Sequence, residues 1–194
     1  MAKVTIETKT LVYPMPAFLI GANVDDKPNF MTAAWSGIGG GTPPIITVGI
    51  RPSRYTFKGI RQNLTFSVNV PSAVQVKETD YCGIESGAKA DKVEVCQFKV
   101  FYGNLKTSPL IEQCPVNLEC KVLHMLDVGS HFLIVGRIEE TYVSEDCLTD
   151  GKPDVDKIKP ISYVTQPGRT YQTLGKVVAN AHSIGRELTG IKAD

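Results

Sequence analysis

Neither sign of charge is in excess in this sequence, which also lacks long apolar runs. Its 194 residues hold 21 Lys and Arg against 20 Asp and Glu, a formal net charge of +1. This balance argues against a general nucleic-acid binder and gives no support for a polybasic membrane anchor. No apolar run reaches the length of a membrane span, and the first ten residues, MAKVTIETKT, lack the apolar core of a signal peptide. We therefore expect no nucleic-acid partner and no membrane partner.

Motifs for metal binding and hydrolysis are also missing. The five cysteines form no C-x-x-C pair, so buried structural thiols are a better interpretation than a zinc site. Their odd number, without an export signal, predicts reduced thiols in the cytoplasm. No G-x-S-x-G elbow is present, and three histidines make a poor basis for a catalytic triad. We expect no metal.

The glycine cluster GIGGGTPP, residues 37–44, does not form a dinucleotide-binding loop. Thr42 stands where the G-x-G-x-x-G pattern needs its third glycine, and two prolines follow instead of a helix N-terminus. We interpret this cluster as a flexible connection between strands. A nicotinamide cofactor would therefore not bind here in the Rossmann manner.

Strand-like runs dominate the first two-thirds of the chain. Turn-rich DDKP and DVGS predict two hairpins between four of the runs. Few helices separate the runs, which predicts an antiparallel barrel or sandwich and not a doubly wound parallel sheet. The length suits one domain over residues 1–194, or one domain with a small appendage. The six predicted strands are 17–24, 29–36, 45–50, 64–70, 116–126 and 131–143.

Helical patterns are short. Tyr55 to Gln62 follows a turn at Pro52, and Ser72 to Asp80 begins with a serine N-cap signal. Apolar residues from Val177 to Leu188 also follow helical spacing. Residues 149–160, rich in Pro, Asp and Lys, are predicted to form a loop.

The stretch RPSRYT, residues 51–56, concentrates groups that bind anions between a strand and a short helix. Arg51 and Arg54 offer guanidinium donors, and Ser53 and Thr56 offer hydroxyl donors, at a predicted helix N-terminus. A phosphate cradle and an ordinary solvated corner explain the stretch equally well on its own.

The stretch NFMTAAWSG, residues 29–37, has unusually small side chains for a strand. Thr32, Ala33 and Ala34 would let a flat ligand reach the backbone, and Trp35 adds an apolar face beside them. Taken alone, a strand packed under a helix with Trp35 in the core is the better interpretation. Two single residues also have simple interpretations. His131, at the start of a strand, is most simply structural, and Lys92 is most simply a surface lysine.

Together these motifs resemble the flavin reductase-like family with the FMN-binding split barrel, most closely its flavoredoxin branch. The order and spacing of several stretches carry the resemblance, although each is weak singly. They are NFMTAAWSG, PPIITVGI with its RPSRYT corner, FSVNVP, YCGIESGAKADK, GSHFLIVGRIEE and ISYVTQPGRTYQTLG.

The resemblance implies a Greek-key split β-barrel with a few added helices, acting as a homodimer with FMN near the interface. The FMN phosphate would meet Arg51, Ser53, Arg54 and Thr56. The flavin ring would lie along Asn29, Thr32, Ala33, Ala34 and Trp35, and polar groups would come from Lys92 and His131. Cys82 has no implied redox role. Family members often place an acidic residue before the histidine, where this sequence has Ser130, which leaves open how His131 is held.

The implied activity is that of an NAD(P)H-dependent flavin reductase-like oxidoreductase, passing hydride or electrons through bound FMN. In that role Lys92 is expected to stabilise reduced flavin, and His131 to contact the flavin or the nicotinamide. The alternative is a flavoredoxin-type electron carrier with redox protein partners and no NAD(P)H turnover. A third hypothesis, a barrel that has lost FMN, fits the intact RPSRYT corner less well. Residues 149–194 are expected to shield the flavin or to complete the dimer.

Overall fold

A computed structural model describes residues 1–189 and shows a mainly β architecture, as predicted. Strands account for most of the regular structure in this range. They are β1 Met15–Pro16, β2 Phe18–Val24, β3 Lys27–Ala33, β4 Ser36–Gly41, β5 Pro44–Ile50, β6 Thr65–Val70, β7 Val100–Phe101, β8 Leu110–Ile111, β9 Val116–Asp127, β10 Phe132–Val143, β11 Leu148–Thr149, β12 Lys152–Pro153, β13 Ile161–Val164 and β14 Thr170–Thr173.

The helices are few and short. The α-helices are α1 Tyr55–Asn63, α2 Val76–Ile84, α3 Lys92–Val95 and α4 Val155–Ile158, and 3-10 turns cover Ala73–Gln75, Glu145–Cys147 and Ile184–Thr189. Throughout residues 1–189, no helix is both long enough and apolar enough to span a bilayer.

Seven antiparallel strands form the central sheet in the order β3-β2-β6-β9-β10-β5-β4. Hairpins join β2 to β3, β4 to β5 and β9 to β10, whereas the connection from β5 to β6 passes over β10 and β9 in the Greek-key manner. Just two residues, Ala34 and Trp35, separate the ends of β3 and β4, the two edges of the sheet. The sheet must therefore curl until its edges approach, and it is split there because β3 and β4 are not neighbours in its hydrogen-bonded order.

The barrel interior is packed with apolar side chains from most of its strands. Ile20, Val48, Phe66 and Ile134 are fully buried in one cluster. Removing such surfaces from water is the main favourable contribution to folding. This core fixes the positions of the strand ends that border the split.

Helix α1 closes one end of the barrel. Phe57 and Ile60 enter the core, while Gly59 lies directly on the backbone of β2. A Cβ atom at Gly59 would stand 2.2 Å from the Asn23 carbonyl oxygen, so only glycine permits this approach. The helix ends at Leu64, whose left-handed backbone (φ 53°) lets its N–H bond the Ile60 carbonyl.

A second, three-stranded sheet of β1, β13 and β14 lies beside the split. The β13–β14 hairpin, with its turn at residues 165–169, is called the strap below. It is anchored by Tyr171, whose hydroxyl donates to the Asp80 carboxylate at 3.0 Å, and by a Tyr13–Thr165 hydroxyl contact of 3.1 Å. The anchors hold the turn of the strap against the edge of the barrel.

Three predictions about local structure were wrong. The glycine cluster is not a flexible connection: residues 36–41 form edge strand β4, paired to β5 through the turn at Thr42 and Pro43. Every residue except proline has both a backbone donor and a backbone acceptor, so a strand can form with almost no side chains. Residues 149–160 are not simply a loop, because they contain β12 and α4. The predicted C-terminal helix is reduced to a 3-10 turn at Ile184–Thr189, with residues 177–180 outside any helix.

Candidate functional site

The split between β3 and β4 opens into a cavity of about 490 Å³, called the split cavity here. Elements distant in sequence supply its walls: the end of β3 with the link to β4, the end of β5, the corner after β5, the β9–β10 turn and the strap. Its lining residues are Met31, Thr32, Ala33, Ala34, Trp35, Gly49, Arg51, Arg54, His131, Tyr163, Thr165, Gln166 and Arg169. Six predicted site residues besides His131 therefore meet here.

Small side chains make one wall of the split cavity. Thr32 turns its hydroxyl to the Thr79 carbonyl of α2, which leaves Ala33 and Ala34 as the neighbouring surface. The Gly49 N–H donates to the Trp35 carbonyl at 2.7 Å and fixes the link between the edge strands. A flat ligand could approach the backbone along this wall.

Trp35 and His131 meet in the wall of the cavity. Their ring centroids are 4.5 Å apart with an interplanar angle of 42°. Trp35 is 42% exposed, so the interpretation that places it in the core is wrong. It lies two residues beyond the end of β3, where the chain leaves the sheet, and it lines the split cavity. The indole offers an apolar surface to a ligand.

His131 is nearly buried, and its ring is held by the residue that precedes it. The Ser130 hydroxyl lies 2.8 Å from Nδ1, so a serine does the holding where an acidic residue was expected in the family. Burial lowers the pKa of His131, and the positive charges of Arg51 and Arg54 lower it further. The imidazole is therefore neutral at pH 7 and can donate or accept one hydrogen bond at the other nitrogen.

The RPSRYT corner forms a second, smaller cavity of about 170 Å³ beside the split cavity. Arg51, Ser53, Arg54 and Lys92 line it, and Arg51, Arg54 and Met31 line both cavities. Arg54 is the N-cap residue of α1 and donates to the Gly83 carbonyl at 2.9 Å, which fixes its guanidinium. In the described part of the chain, the Arg51 side chain makes no hydrogen bond or ion pair and is exposed.

Lys92 is buried, with 4% of its surface exposed, so the interpretation as a surface lysine is wrong. Asp91 caps the short helix α3 and begins the turn that directs Lys92 inward. Its ammonium donates to the Phe30 and Cys82 carbonyls, both at 2.9 Å. Burial lowers the pKa of Lys92, the thiol of Cys82 opposes that shift, and Arg54 adds to it. One of its three N–H donors remains for a ligand.

Asn29 and Thr56 lie deeper than predicted. The Asn29 amide donates to the Thr56 hydroxyl at 2.6 Å, and Thr56 is 1% exposed below the corner. Asn29 also lines a third cavity of about 320 Å³, which shares Tyr55, Gly87 and Lys92 with the corner cavity. The structure therefore brings Asn29 close to the corner cavity and leaves Thr56 beneath its wall.

Sequence reasoning expected residues 149–194 to shield the flavin or complete the dimer, but it named no individual residue of the strap as part of the site. Tyr163, Thr165, Gln166 and Arg169 all line the split cavity. The available signal was the proline-glycine turn QPGR between two short β-patterned runs. It predicts a hairpin, but no local pattern says that this hairpin folds back 130 residues onto the end of β3.

Thiols and metal ligands play no visible part in the site. The five cysteines are free, and burial raises the pKa of Cys82, Cys114 and Cys120 far above the usual range of a thiol. These thiols are inert as nucleophiles. Among residues 1–189, no three His, Cys, Asp or Glu side chains cluster in a way that could hold a metal ion.

Comparison with known proteins gives a family match and several similar structures. Residues 10–166 match the family described as flavin reductase like domain. A structure of flavoredoxin from Methanosarcina acetivorans is 42% identical, covers 97% of this chain and 100% of its own, and has a TM-score of 0.92. Flavoredoxin of Desulfovibrio vulgaris (Miyazaki F) is 34% identical, with coverage of 95% and 100% and a TM-score of 0.88.

A more distant structure shows the same fold. The FMN-binding protein from Thermus thermophilus is 24% identical, covers 93% of this chain and 98% of its own, and has a TM-score of 0.77. The predicted Greek-key split barrel and the predicted family are therefore confirmed.

Proposed function

The chain belongs to the flavin reductase-like domain family, and from this we propose that it is an FMN-binding oxidoreductase. Bound FMN would supply the hydride- and electron-carrying chemistry, while the protein binds and orients it. One observation carries the proposal: the small-residue wall of the split cavity is continuous with the arginine corner, because Arg51 and Arg54 line both. A flat ring joined to a phosphate needs this combination.

The corner has the chemistry of a phosphate site. Arg51 and Arg54 supply guanidinium donors, Ser53 supplies a hydroxyl, and the N-terminus of α1 begins at Tyr55. The Arg51 side chain has no partner within residues 1–189 that a phosphate would have to displace. Thr56 would contribute by supporting the shape of the corner, because its hydroxyl accepts a hydrogen bond from Asn29 below the cavity wall.

The walls suit a flavin ring. Thr32, Ala33 and Ala34 offer a low surface, and Trp35 and His131 offer aromatic faces at one end. Lys92 lines the neighbouring corner cavity and not the split cavity, so its buried cation would stabilise the negative charge of reduced flavin across the boundary that the two cavities share. Its two carbonyl partners leave it able to make one further bond. A neutral His131 adds a hydrogen-bonding group without adding charge.

We propose NADH or NADPH as the electron donor. A second candidate is a flavoredoxin-type electron carrier that exchanges electrons with a protein partner and does not turn over NAD(P)H. The two structures at 34% and 42% identity are both named flavoredoxin, and this favours retaining the electron carrier as a candidate.

The free cysteines are in keeping with a reducing compartment, and we propose a cytoplasmic location.

We also propose a homodimer whose interface includes the β9–β10 turn. Leu123 and Leu126 near the end of β9 and Val128 in the turn are between 44% and 60% exposed, close in sequence to His131. A contiguous exposed apolar surface commonly marks an interface. Light scattering should show a dimer for the wild type, and Leu126→Lys should shift it to monomer. A wild-type monomer at micromolar concentration would contradict the dimer.

One experiment tests the function directly. The purified protein, incubated with FMN and desalted, should retain flavin absorbance. Under anaerobic conditions, bleaching of that absorbance by NADH or NADPH supports the reductase, and bleaching by a reduced protein donor alone supports the carrier. Failure to retain or bind FMN would contradict both.

A further inference from the structure

The split cavity carries more positive charge than one FMN phosphate requires. Three arginines line it beside the neutral His131, and none of the lining residues described is Asp or Glu. Arg51 and Arg54 also line the corner cavity, where the proposed function places the phosphate. Arg169 lines the split cavity but not the corner cavity, so its charge belongs to a different part of the site.

Arg169 is presented by an anchored element. It directly precedes β14, in the turn of the strap, and the strap is fixed by the Tyr171–Asp80 hydrogen bond and the Tyr13–Thr165 contact. The rings of Tyr163 and Tyr171 pack 5.7 Å apart and stiffen the hairpin behind it. An arginine on such a support loses less freedom when it binds a ligand than one on a free tail would lose.

The Arg169 side chain is available for a ligand. It is exposed, and within residues 1–189 no hydrogen bond or ion pair engages its guanidinium. The planar guanidinium fork matches the oxygens of a phosphate and can bind two of them at once. The open side of the cavity therefore has a second anion-binding group, beside the aromatic surface of Tyr163.

We propose that Arg169 is a specificity-determining residue that selects a phosphate-bearing electron donor, a nicotinamide dinucleotide, in the split cavity. This inference rests on the proposed reductase function of the same site. The guanidinium pairs with the pyrophosphate that NADH and NADPH share, or with the additional phosphate of NADPH. A donor without phosphate gains nothing from this residue.

The test compares charged and neutral donors on the FMN-loaded protein. Bleaching rates under anaerobic conditions are measured against the concentrations of NADH, NADPH and the uncharged donor 1-benzyl-1,4-dihydronicotinamide. Arg169→Ala should raise the half-saturating concentration of NADH, NADPH or both at least about tenfold, the usual size of a hydrogen-bonded charge pair. The rate with the uncharged donor and the affinity for FMN should each change less than about twofold.

Two further variants sharpen the comparison. Arg169→Lys keeps the charge without the planar fork, so its half-saturating concentration for the dinucleotides should rise less than that of Arg169→Ala. Lys176→Ala removes one charge from the same C-terminal segment, at a residue that lines a different cavity, and should change nothing. A loss confined to NADPH assigns the guanidinium to the additional phosphate, and an equal loss for both donors assigns it to the pyrophosphate.

Several outcomes overturn the inference while the proposed function stands. One is unchanged half-saturation for both dinucleotides in Arg169→Ala, and another is an equal loss with the uncharged donor. A tenfold loss of FMN affinity in that variant would place Arg169 in the flavin site. Absence of bleaching by either dinucleotide in wild-type protein that binds FMN also overturns it, in favour of the carrier. Absence of FMN binding would instead sink the proposed function itself.

Discussion

The rings of Trp35 and His131 pack together at the split of the barrel, with centroids 4.5 Å apart, although the two residues are 96 positions apart in the sequence. Trp35 comes after β3, an edge strand of the sheet, and His131 comes after the turn between β9 and β10, which lie near the middle of the sheet. Curling of the sheet brings the two together. Arginines of the corner and residues of the strap line the same cavity as this pair.

Arg51→Ala should weaken FMN binding without weakening the fold. Arg51 is exposed and has no partner in the described structure, so its loss removes only ligand contacts. Loss of a charge-assisted bond to phosphate should cost about 1.5–3 kcal/mol, or about tenfold or more in Kd. Quenching of FMN fluorescence measures the affinity, and thermal unfolding measures the fold. Arg61→Ala, an arginine at the far end of α1, is the matched control. If Arg51→Ala and Arg61→Ala bind FMN with equal affinity, the corner is an ordinary solvated turn and not a phosphate site.

Lys92→Met should lower both stability and the reduction potential of bound FMN. The Phe30 and Cys82 carbonyls would lose their buried donor, at a cost of about 1–3 kcal/mol in the free energy of unfolding. Loss of a cation near reduced flavin should shift the midpoint potential negative by about 30 mV or more, the equivalent of 1.4 kcal/mol for a two-electron couple. Lys89→Met, at an exposed lysine, is the control. A stability change with no shift in potential would restrict Lys92 to a structural role.

His131 should titrate below its usual range in the folded protein. Burial is the main cause, with Arg51 and Arg54 adding to it. Since the unfolded state binds the proton more readily, this group's contribution to stability falls as pH falls from 6.5 toward the lowered pKa. Urea unfolding between pH 7.5 and 5 should therefore show a steeper loss in wild type than in His131→Gln. Proton NMR of the histidine ring measures the pKa directly, and Arg51→Ala should raise it. A midpoint at or above 6.5 in wild type would contradict the electrostatic description of the site.

Gly59→Ala should destabilise the barrel although alanine favours helices. A Cβ at this position would stand 2.2 Å from the Asn23 carbonyl, which forces α1 away from β2. Overpacking of this kind costs about 1–3 kcal/mol, more than the ~1 kcal/mol that alanine gains over glycine inside a helix. Gly41→Ala, with open space around its Cβ, is the control for chemical denaturation. A more stable Gly59→Ala would mean that α1 packs more loosely than described.

The periodicity of apolar residues predicted the secondary structure well for strands and helices that bury one face or both faces. The predicted strand at 45–50 and the long pair at 116–126 and 131–143 match β5, β9 and β10 to within a residue or so at each end. These runs are apolar because they enter the barrel core. The predicted helix at 55–62 likewise matches α1, because Phe57 and Ile60 mark its buried face.

Residues whose surroundings come from distant parts of the chain were not predictable in this way. Lys92 resembles a surface lysine in sequence, and its burial depends on carbonyls at Phe30 and Cys82. Trp35 looks like a core residue until the sheet splits beside it. Strand β4 has no side-chain pattern, because its partner β5 supplies the pairing. Arg169 reaches the site through an anchored hairpin, which no short motif describes.

The central claim is that FMN occupies the split of the barrel. A crystal structure of the protein grown with FMN tests it most directly. We predict the phosphate at Arg51, Ser53 and Arg54, and the flavin ring against Ala33, Ala34 and Trp35. Flavin density elsewhere on the molecule, or no flavin at saturating concentration, would contradict the account.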